Sequence, residues 1–284
     1  MRVIEPSSHA NKLPKPKKKT KLSKFFLVIL IIILAFLVLL VVYKEKSYAP
    51  SEQKTQNNQP LQNTQNFKTG VLKQFSADEF RDLYNSFAYP NTEIIKEQTS
   101  ITNNLTADQR IRKLAEARGY RLRSAPVSDS FVTISPGNQL QRRAADDWTA
   151  LFEAAKKDQI NLSVSEGYRS ADDQKVIFTS RLEGLSPAAI AKGSVDSQVD
   201  KVLEKTAPPG YSRHHSGYTI DLVCDNQPYA KFESTICFEW LSNDNYKNAK
   251  LAGWIPSYPE GTKQQGPEPE SWEYVWAGKD SLLK

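Results

Sequence analysis

The sequence predicts an α+β domain that follows a single membrane-spanning helix. Residues 25–42 form one apolar run without a charged side chain. From about residue 76 onward, segments with helical spacing of apolar residues come before and between segments with strand-like alternation. Because these helices and strands do not alternate strictly, the pattern favours a small antiparallel sheet with flanking helices over a parallel βαβ fold.

Positive charge is concentrated at the N-terminus. The whole chain has a formal net charge of +6. Residues 1–24 contain eight Lys or Arg residues and one acid, a charge of +7, so the rest of the chain carries 6 minus 7, or −1. The near-neutral remainder argues against a nucleic-acid-binding protein.

The apolar run FFLVILIIILAFLVLLVV is long enough to cross a bilayer. At 1.5 Å per residue it spans roughly 27 Å, close to the ~30 Å of a hydrocarbon core. A buried core helix is an alternative, but it rarely lacks a polar face over this length. A cleaved signal peptide would end in small residues, whereas the exit offers only Ala49. We therefore expect an uncleaved transmembrane helix over residues 25–43, with the basic tail cytoplasmic and the C-terminal domain extracellular in the cell membrane.

Two accessory segments are expected between this helix and the main domain. Residues 44–75 are rich in Gln, Asn, Lys and Thr, and such a composition buries too little surface to fold, which predicts a flexible linker. Residues 76–129 are predicted to be a helical lead-in. It comprises the helix SADEFRDLYNSF and the helix LTADQRIRKLAEARGY, the second with Thr106 as its N-cap.

Residues 130–284 are expected to form the main domain. Helices are predicted in LQRRAADDWTALFEAAKKDQ, SADDQKVIFTSRL with Ser170 as N-cap, VDSQVDKVLEK and WLSNDNYKNAKLAGW. Strands are predicted in INLSVSEGYRS, YTIDLVC and WEYVW.

The two cysteines, Cys224 and Cys237, are predicted to form a disulfide, because they are an even pair in a segment expected outside the cytoplasm. Two metal-binding thiolates would need closer spacing and more partners. A redox-active pair would show C-x-x-C spacing, which is absent from this sequence.

A candidate metal site lies in SRHHSGYTIDL. His214 and Asp221 are seven residues apart on either side of Gly217. Imidazole nitrogen and carboxylate oxygen both suit zinc, and the glycine can ease a bend between a loop and a strand. Taken alone, the pattern is also compatible with a polar loop that has no metal.

Four blocks extend this pattern in one order: GYRS at 167–170 with Gln174, PPGYSRHHSGYTIDL at 208–222, WLSNDNYKNAKLAGWIPSYP at 240–259 and EPESWEYVW at 268–276. Together they resemble the D-alanyl-D-alanine carboxypeptidases of the VanY type, which are M15 zinc metallopeptidases. The resemblance implies a VanY-like peptidase domain over residues 130–284, a Zn²⁺ cofactor and peptidoglycan stem peptides as partners.

The resemblance also implies roles for individual residues. His214 and Asp221 are similar to the first two zinc ligands, and Glu270 is similar to the general base. Arg169 matches the arginine that holds the substrate carbonyl and the developing oxyanion, a role suited to a permanently charged guanidinium. Without the resemblance, the same arginine could simply bridge surface acids. The positions that resemble substrate-binding residues are Gln174, Ser212 and Trp272.

One position departs from the family. The family ends in a Glu-x-Trp-His pattern whose histidine is the third zinc ligand, and here Glu273 stands in place of that histidine. If Glu273 binds the metal, two carboxylates formally cancel its charge. This would weaken the metal's pull on bound water and could admit manganese or another divalent ion. If it does not bind, the domain would be a catalytically impaired peptidoglycan-binding domain that kept the fold.

The sequence therefore predicts a membrane-anchored, zinc-dependent carboxypeptidase that hydrolyses the terminal D-Ala of peptidoglycan stem peptides. Related wall peptidases cut after an L-centre or between L-Ala and D-Glu. Pocket shape decides among these bonds, so the choice stays open at this point.

Overall fold

The structure is a computed structural model that describes residues 70–128 and 130–284. The expected basic tail, transmembrane helix and nearly all of the expected linker lie outside the described residues. The described residues belong to one compact unit. Within these two ranges, no helix has both the length and the apolar composition needed to cross a membrane.

Helices account for much of the described chain. They are α1 (Ala77–Ser86), α2 (Leu105–Ala117), α3 (Arg142–Lys157), α4 (Ala171–Arg181), α5 (Pro187–Lys192), α6 (Asp196–Leu203) and α7 (Ile236–Leu251). The side chains of Ser76 and Ser170 cap α1 and α4. The predicted cap of α2 was wrong: Asn104 accepts a hydrogen bond from Ala107 and begins the helix, so Thr106 already lies inside the first turn.

The strands of the described residues form three antiparallel sheets. Two are small pairs: β1 (Thr92–Ile94) with β2 (Ser124–Pro126), and β3 (Phe131–Ser135) with β4 (Asn138–Gln141). The main sheet has the order β5-β6-β8-β7 and contains β5 (Leu162–Glu166), β6 (Thr219–Cys224), β7 (Trp254–Tyr258) and β8 (Glu270–Trp276). The α+β class is confirmed. The segment expected to be a helical lead-in also holds β1 and β2.

The alternation of the main sheet separates its core from its functional face. Ile220, Leu222 and Tyr274 point into an apolar core that also contains Trp148 of α3 and Leu241 of α7. The residues between them in sequence point to the opposite face, because successive side chains of a strand alternate. Asp221 and Glu273 are on that second face.

A disulfide fixes the end of β6. Cys224 and Cys237 are bonded with an S–S distance of 2.02 Å. The bond joins the last residue of β6 to the first turn of α7 and closes the loop that contains Tyr229.

Candidate metal centre

Acids from three adjacent strands of the main sheet are paired across its functional face. Glu166 at the end of β5 pairs with Asp221 of β6, and Asp221 pairs with Glu273 of β8. Residues paired directly across antiparallel strands carry their side chains on the same face. The strand register therefore brings together acids that are far apart in the sequence.

The histidine of the site comes from a short 3₁₀ helix, Arg213–Ser216, that precedes β6. This turn ends at Gly217, whose φ of +74° favours glycine. A Cβ atom there would lie 2.8 Å from the Phe131 ring, so the close approach also requires glycine.

Three potential ligand atoms converge in the buried interior of the site. His214 Nε2 lies 3.3 Å from Asp221 Oδ1 and 3.3 Å from Glu273 Oε2, and all three atoms lie within 4.8 Å of one another. His214 Nδ1 donates a hydrogen bond to the Gly167 carbonyl at 2.6 Å. Because a carbonyl only accepts, this bond turns Nε2 toward the two acids.

The donor set fits a divalent cation. Within the described part of the chain, neither His214 Nε2 nor Asp221 Oδ1 makes a hydrogen bond of regular geometry, although both atoms are buried and lie 3.3 Å apart. Buried polar atoms in native proteins nearly always have partners. One imidazole nitrogen and two carboxylate oxygens form a set that suits zinc, and their oxygen content also suits manganese.

The electrostatics of the metal-free cluster favour a proton where a cation would sit. Burial alone would lower the pKa of His214, but the nearby Asp221 and Glu273 carboxylates raise that pKa to about 10. Burial raises the pKa of Asp221. The pKa of Glu273 is lowered although burial opposes this, because His214, Arg213 and Ser257 favour the carboxylate. The imidazolium therefore lies between two acids in the metal-free protein.

Glu270 is the proton-accepting candidate beside this cluster. It begins β8, pairs with Tyr258 of β7 and is half-buried. Burial raises the pKa of Glu270 well above its ordinary value, and the neighbouring carboxylates of Glu273 and Asp221 raise it further. A carboxylate in these surroundings binds a proton readily.

Arg169 is held in place by two partners. Its Nε and Nη2 atoms pair with the Glu166 carboxylate, and its Nη1 donates to Gln174 Oε1. Gln174 Nε2 in turn donates to the Ala207 carbonyl at 2.7 Å. Gln174 therefore orients Arg169 in this structure, and its predicted role in substrate binding stays a prediction. Sequence reasoning missed Glu166, although it lies next to the quoted GYRS block.

All the residues singled out from the sequence for the metal, for catalysis or for substrate line one cavity of about 280 Å³. Trp272 lies on the cavity wall, where its ring centroid is 5.2 Å from that of Tyr229. The predicted residues that line the cavity are Arg169, Gln174, Ser212, His214, Asp221, Glu270, Trp272 and Glu273.

The second histidine of the motif, His215, forms hydrogen bonds with backbone groups and does not join the metal cluster. His215 Nδ1 donates to the Arg169 carbonyl at 2.8 Å, and its Nε2 accepts from the Gly210 amide at 3.0 Å. Burial lowers the pKa of His215 to about 4, so the ring is neutral. His215 thus joins the turn before β6 to the backbone of Arg169.

A histidine and two acids placed to share one cation, with a further acid beside them, define a candidate hydrolytic metal site on an α+β fold. The family model described as VanY, D-alanyl-D-alanine carboxypeptidase, matches residues 137–279, and the chain belongs to this family.

Two curated relatives match about half of the chain. YodJ of Bacillus subtilis (strain 168), provisionally named a carboxypeptidase, is 31% identical over 157 residues, which cover 54% of this chain and 52% of YodJ. A D-alanyl-D-alanine carboxypeptidase of Enterococcus faecalis (strain ATCC 700802 / V583) is 28% identical over 153 residues, 53% of either chain. The chain thus spans about half the length of the curated relatives that it matches.

Solved structures show weaker likeness. VanYB in complex with D-Ala-D-Ala has a TM-score of 0.43 and 24% identity, covering 55% of this chain and 84% of VanYB. A point mutant of the VanY D,D-pentapeptidase from a VanB-type resistance cassette, in complex with Zn(II), has a TM-score of 0.42 and 23% identity. It covers 57% of this chain and 83% of that protein. TM-scores of this size carry no information about activity.

Proposed function

We propose that this protein is a membrane-anchored, zinc-dependent carboxypeptidase that removes the terminal D-Ala of peptidoglycan stem peptides. One observation supports the proposal above the others. The cavity that holds the His214, Asp221 and Glu273 cluster is also lined by Glu270 and Arg169. A metal-binding cluster, an acid with a raised pKa and a guanidinium are the parts that hydrolysis of an amide requires.

In this proposal Glu273 is the third metal ligand, together with His214 and Asp221. A bound divalent cation supplies Lewis acidity, which polarises a carbonyl and favours deprotonation of water. Glu270 accepts the proton of the attacking water and passes it to the leaving amine. Its raised pKa suits it to carry the proton between these two steps.

Arg169 binds the carbonyl oxygen of the scissile bond. A guanidinium has five N–H donors. Bonds from Nε and Nη2 to Glu166 and from Nη1 to Gln174 occupy three of them, so two donors remain for substrate. Because Glu166 and Gln174 fix the plane of the guanidinium, these two donors are oriented before substrate arrives.

The anchor and the location are part of the same proposal. An apolar run over residues 25–43 that follows a basic tail supports a single-pass anchor with its N-terminus in the cytoplasm. The Cys224–Cys237 disulfide supports an oxidising location for the domain. Resistance of the full-length chain to carbonate extraction from bacterial membranes tests the anchor, and release into the soluble fraction would contradict it.

Metal content and D-Ala release from one preparation test the enzymatic proposal. The full-length protein should hold close to one zinc ion and release D-Ala from a stem peptide ending in D-Ala-D-Ala, with a peptide ending in D-Ala-L-Ala as control. Glu270→Gln, which keeps the size of the side chain, should lower turnover by about 10²- to 10⁴-fold while metal is retained. Glu273→Ala should lose the metal.

Other outcomes assign the protein differently. If the parent holds no metal and cleaves nothing but sediments with insoluble peptidoglycan, it is a wall-binding domain that kept the fold. If Glu270→Gln cleaves as fast as the parent, Glu270 is not the base. Release of D-Ala only from a peptide whose penultimate residue has an L-centre would move the specificity from D,D to L,D bonds.

A further inference from the structure

A buried arginine lies directly behind Glu273. Arg213 is almost completely buried, with 1% of the residue exposed to solvent. Its guanidinium carbon lies 3.8 Å from the ring centroid of Tyr84 and 3.9 Å from that of Tyr258, so the cation is stacked between two aromatic rings. Tyr84 belongs to α1, which lies outside the residues that match the family.

A single serine connects this cation to Glu273. Arg213 Nη1 donates to the Ser257 carbonyl and, at 2.8 Å, to the Ser257 hydroxyl. The same hydroxyl donates to Glu273 Oε1. Because the carboxylate can only accept, the one hydroxyl proton points to Glu273 and the serine oxygen accepts from the arginine. The chain of donors therefore has one direction, from guanidinium to carboxylate.

This arrangement divides the two oxygens of Glu273 between two tasks. Oε1 is held by Ser257, while Oε2 lies 3.3 Å from His214 Nε2 in the metal cluster. Nε and Nη2 of Arg213 make no hydrogen bond within the described residues. A buried cation is costly without a nearby anion, and Glu273 is the carboxylate to which Ser257 connects it.

We propose that Arg213 is the positioning counter-cation of Glu273, acting through Ser257 and held in place by Tyr84 and Tyr258. The inference rests on the proposed function in one respect, namely that Glu273 binds the metal. A divalent ion with two carboxylates and one neutral imidazole has no formal net charge, and Arg213 brings the total to +1. This equals the charge of a divalent ion with one carboxylate and two imidazoles, so Arg213 offsets the replacement of a histidine by Glu273.

The lead-in segment, residues 76–129, therefore contributes to the surroundings of Glu273 through Tyr84. Tyr84 of α1 forms one wall of the arginine's enclosure, and Tyr258 at the end of β7 forms the other. The other arginine beside the cluster, Arg169, pairs directly with Glu166 and faces the cavity. Arg213 is the arginine whose hydrogen bonds lead to Glu273.

A double-mutant cycle on the metal-free, full-length protein tests the charge coupling. Melting temperatures are measured in chelator for the parent, Glu273→Gln, Arg213→Met and the double variant. The Glu273→Gln substitution should lower the melting temperature when Arg213 is present. With methionine at position 213 the decrease should be smaller by about 3 °C or more. Additive effects of the two substitutions would overturn the inference.

Ser257→Ala provides a second cycle if Arg213→Met does not fold, because it removes only the connecting hydroxyl. It also permits a spectroscopic readout that a purely structural role would not change. With Co²⁺ as the probe, Ser257→Ala should shift the visible absorption bands, because Glu273 is no longer oriented. The control is Ser281→Ala, whose partly buried hydroxyl donates to the Ala277 carbonyl and lies outside the cavity lining. This control should leave the bands unchanged.

The two measurements separate the inference from the proposed function. If the parent binds Co²⁺ but both cycles are additive and Ser257→Ala leaves the spectrum unchanged, the counter-cation role is wrong and the metal site stands. If the parent takes up neither Zn²⁺ nor Co²⁺, the proposed function fails. The role of Arg213 as counter-cation of a metal-binding Glu273 then fails with it.

Discussion

His214 and His215 are neighbours in the chain, yet their rings lie in opposite surroundings. The His214 ring faces the Asp221 and Glu273 carboxylates, which raise its pKa to about 10. The His215 ring lies between two backbone groups, the Arg169 carbonyl and the Gly210 amide, and burial lowers its pKa to about 4. Both rings are buried, so burial alone does not decide the charge of a histidine. The nearest partners decide it.

The largest expected difference between the two histidines is in metal binding. His214→Asn should reduce zinc affinity by well over a hundredfold, because it removes a proposed ligand; loss of a residue that only supports a ligand typically costs about 10–100-fold. His215→Asn should stay within that smaller range. Competition with a chromogenic chelator measures both. Equal losses in the two variants would show that His215 is as important to the site as its neighbour.

The second largest expected difference between the two histidines is in how the stability of the protein depends on pH. His214 has a folded pKa of about 10, above the ordinary 6.5. Its contribution is complete below pH 6.5 and is lost as the pH rises toward 10. His215 has a folded pKa of about 4, so its contribution is present above pH 6.5 and is lost as the pH falls toward 4. Each group changes the free energy of unfolding by up to about 1.4 kcal/mol per pH unit in its own window.

Urea unfolding in chelator across both windows checks this expectation. His214→Asn should flatten the fall in stability above pH 6.5, and His215→Asn should flatten the fall between pH 6.5 and about 4. A parent protein whose stability is constant from about pH 6.5 to about pH 9 would contradict the charged state assigned to His214.

The smallest expected effect is the structural cost of losing the His215 ring. Its two hydrogen bonds connect the turn before β6 to the Arg169 backbone. His215→Asn should lower the free energy of unfolding by about 1–3 kcal/mol, since buried backbone groups lose their partners. Unfolding at neutral pH measures it, and no change would mean that the asparagine side chain replaces both bonds.

The eight residues assigned to the site could be found from the sequence because each lies in or beside a short block that resembles the family, and all eight line the cavity. The surrounding support was not predictable in this way. Tyr84 approaches Arg213 from α1, and Ser257 reaches Glu273 from β7. Contacts between segments this distant depend on packing, which leaves no periodicity in either segment. Glu166 could have been found, because it directly precedes the GYRS block.

The fold was predictable to a similar extent. The longer helices and β5, β6 and β8 follow from apolar spacing, whereas α5 and the strands β1, β2, β3, β4 and β7 were not expected. The β3 and β4 hairpin did have a signal, since the alternating residues Val132 and Ile134 precede a Pro-Gly pair. β7 contains Pro256, which argues against an inner strand. The sheet order places β7 at an edge, where a proline is tolerated.

Because Asp221 and Glu273 are paired across adjacent strands, the site depends on the number of residues within each strand. It does not depend on the length of the connections between the strands. Any loop between β6 and β8 could lengthen without moving the two carboxylates, provided that the same residues remain opposite each other. In β8, Glu270 pairs with Tyr258 and Glu273 pairs with Asp221. Removing one residue between Glu270 and Glu273 would turn every later side chain of β8 to the other face of the sheet. The core residue Tyr274 would then face the cavity. The same strand register therefore sets both the position of the site residues and the packing of the core.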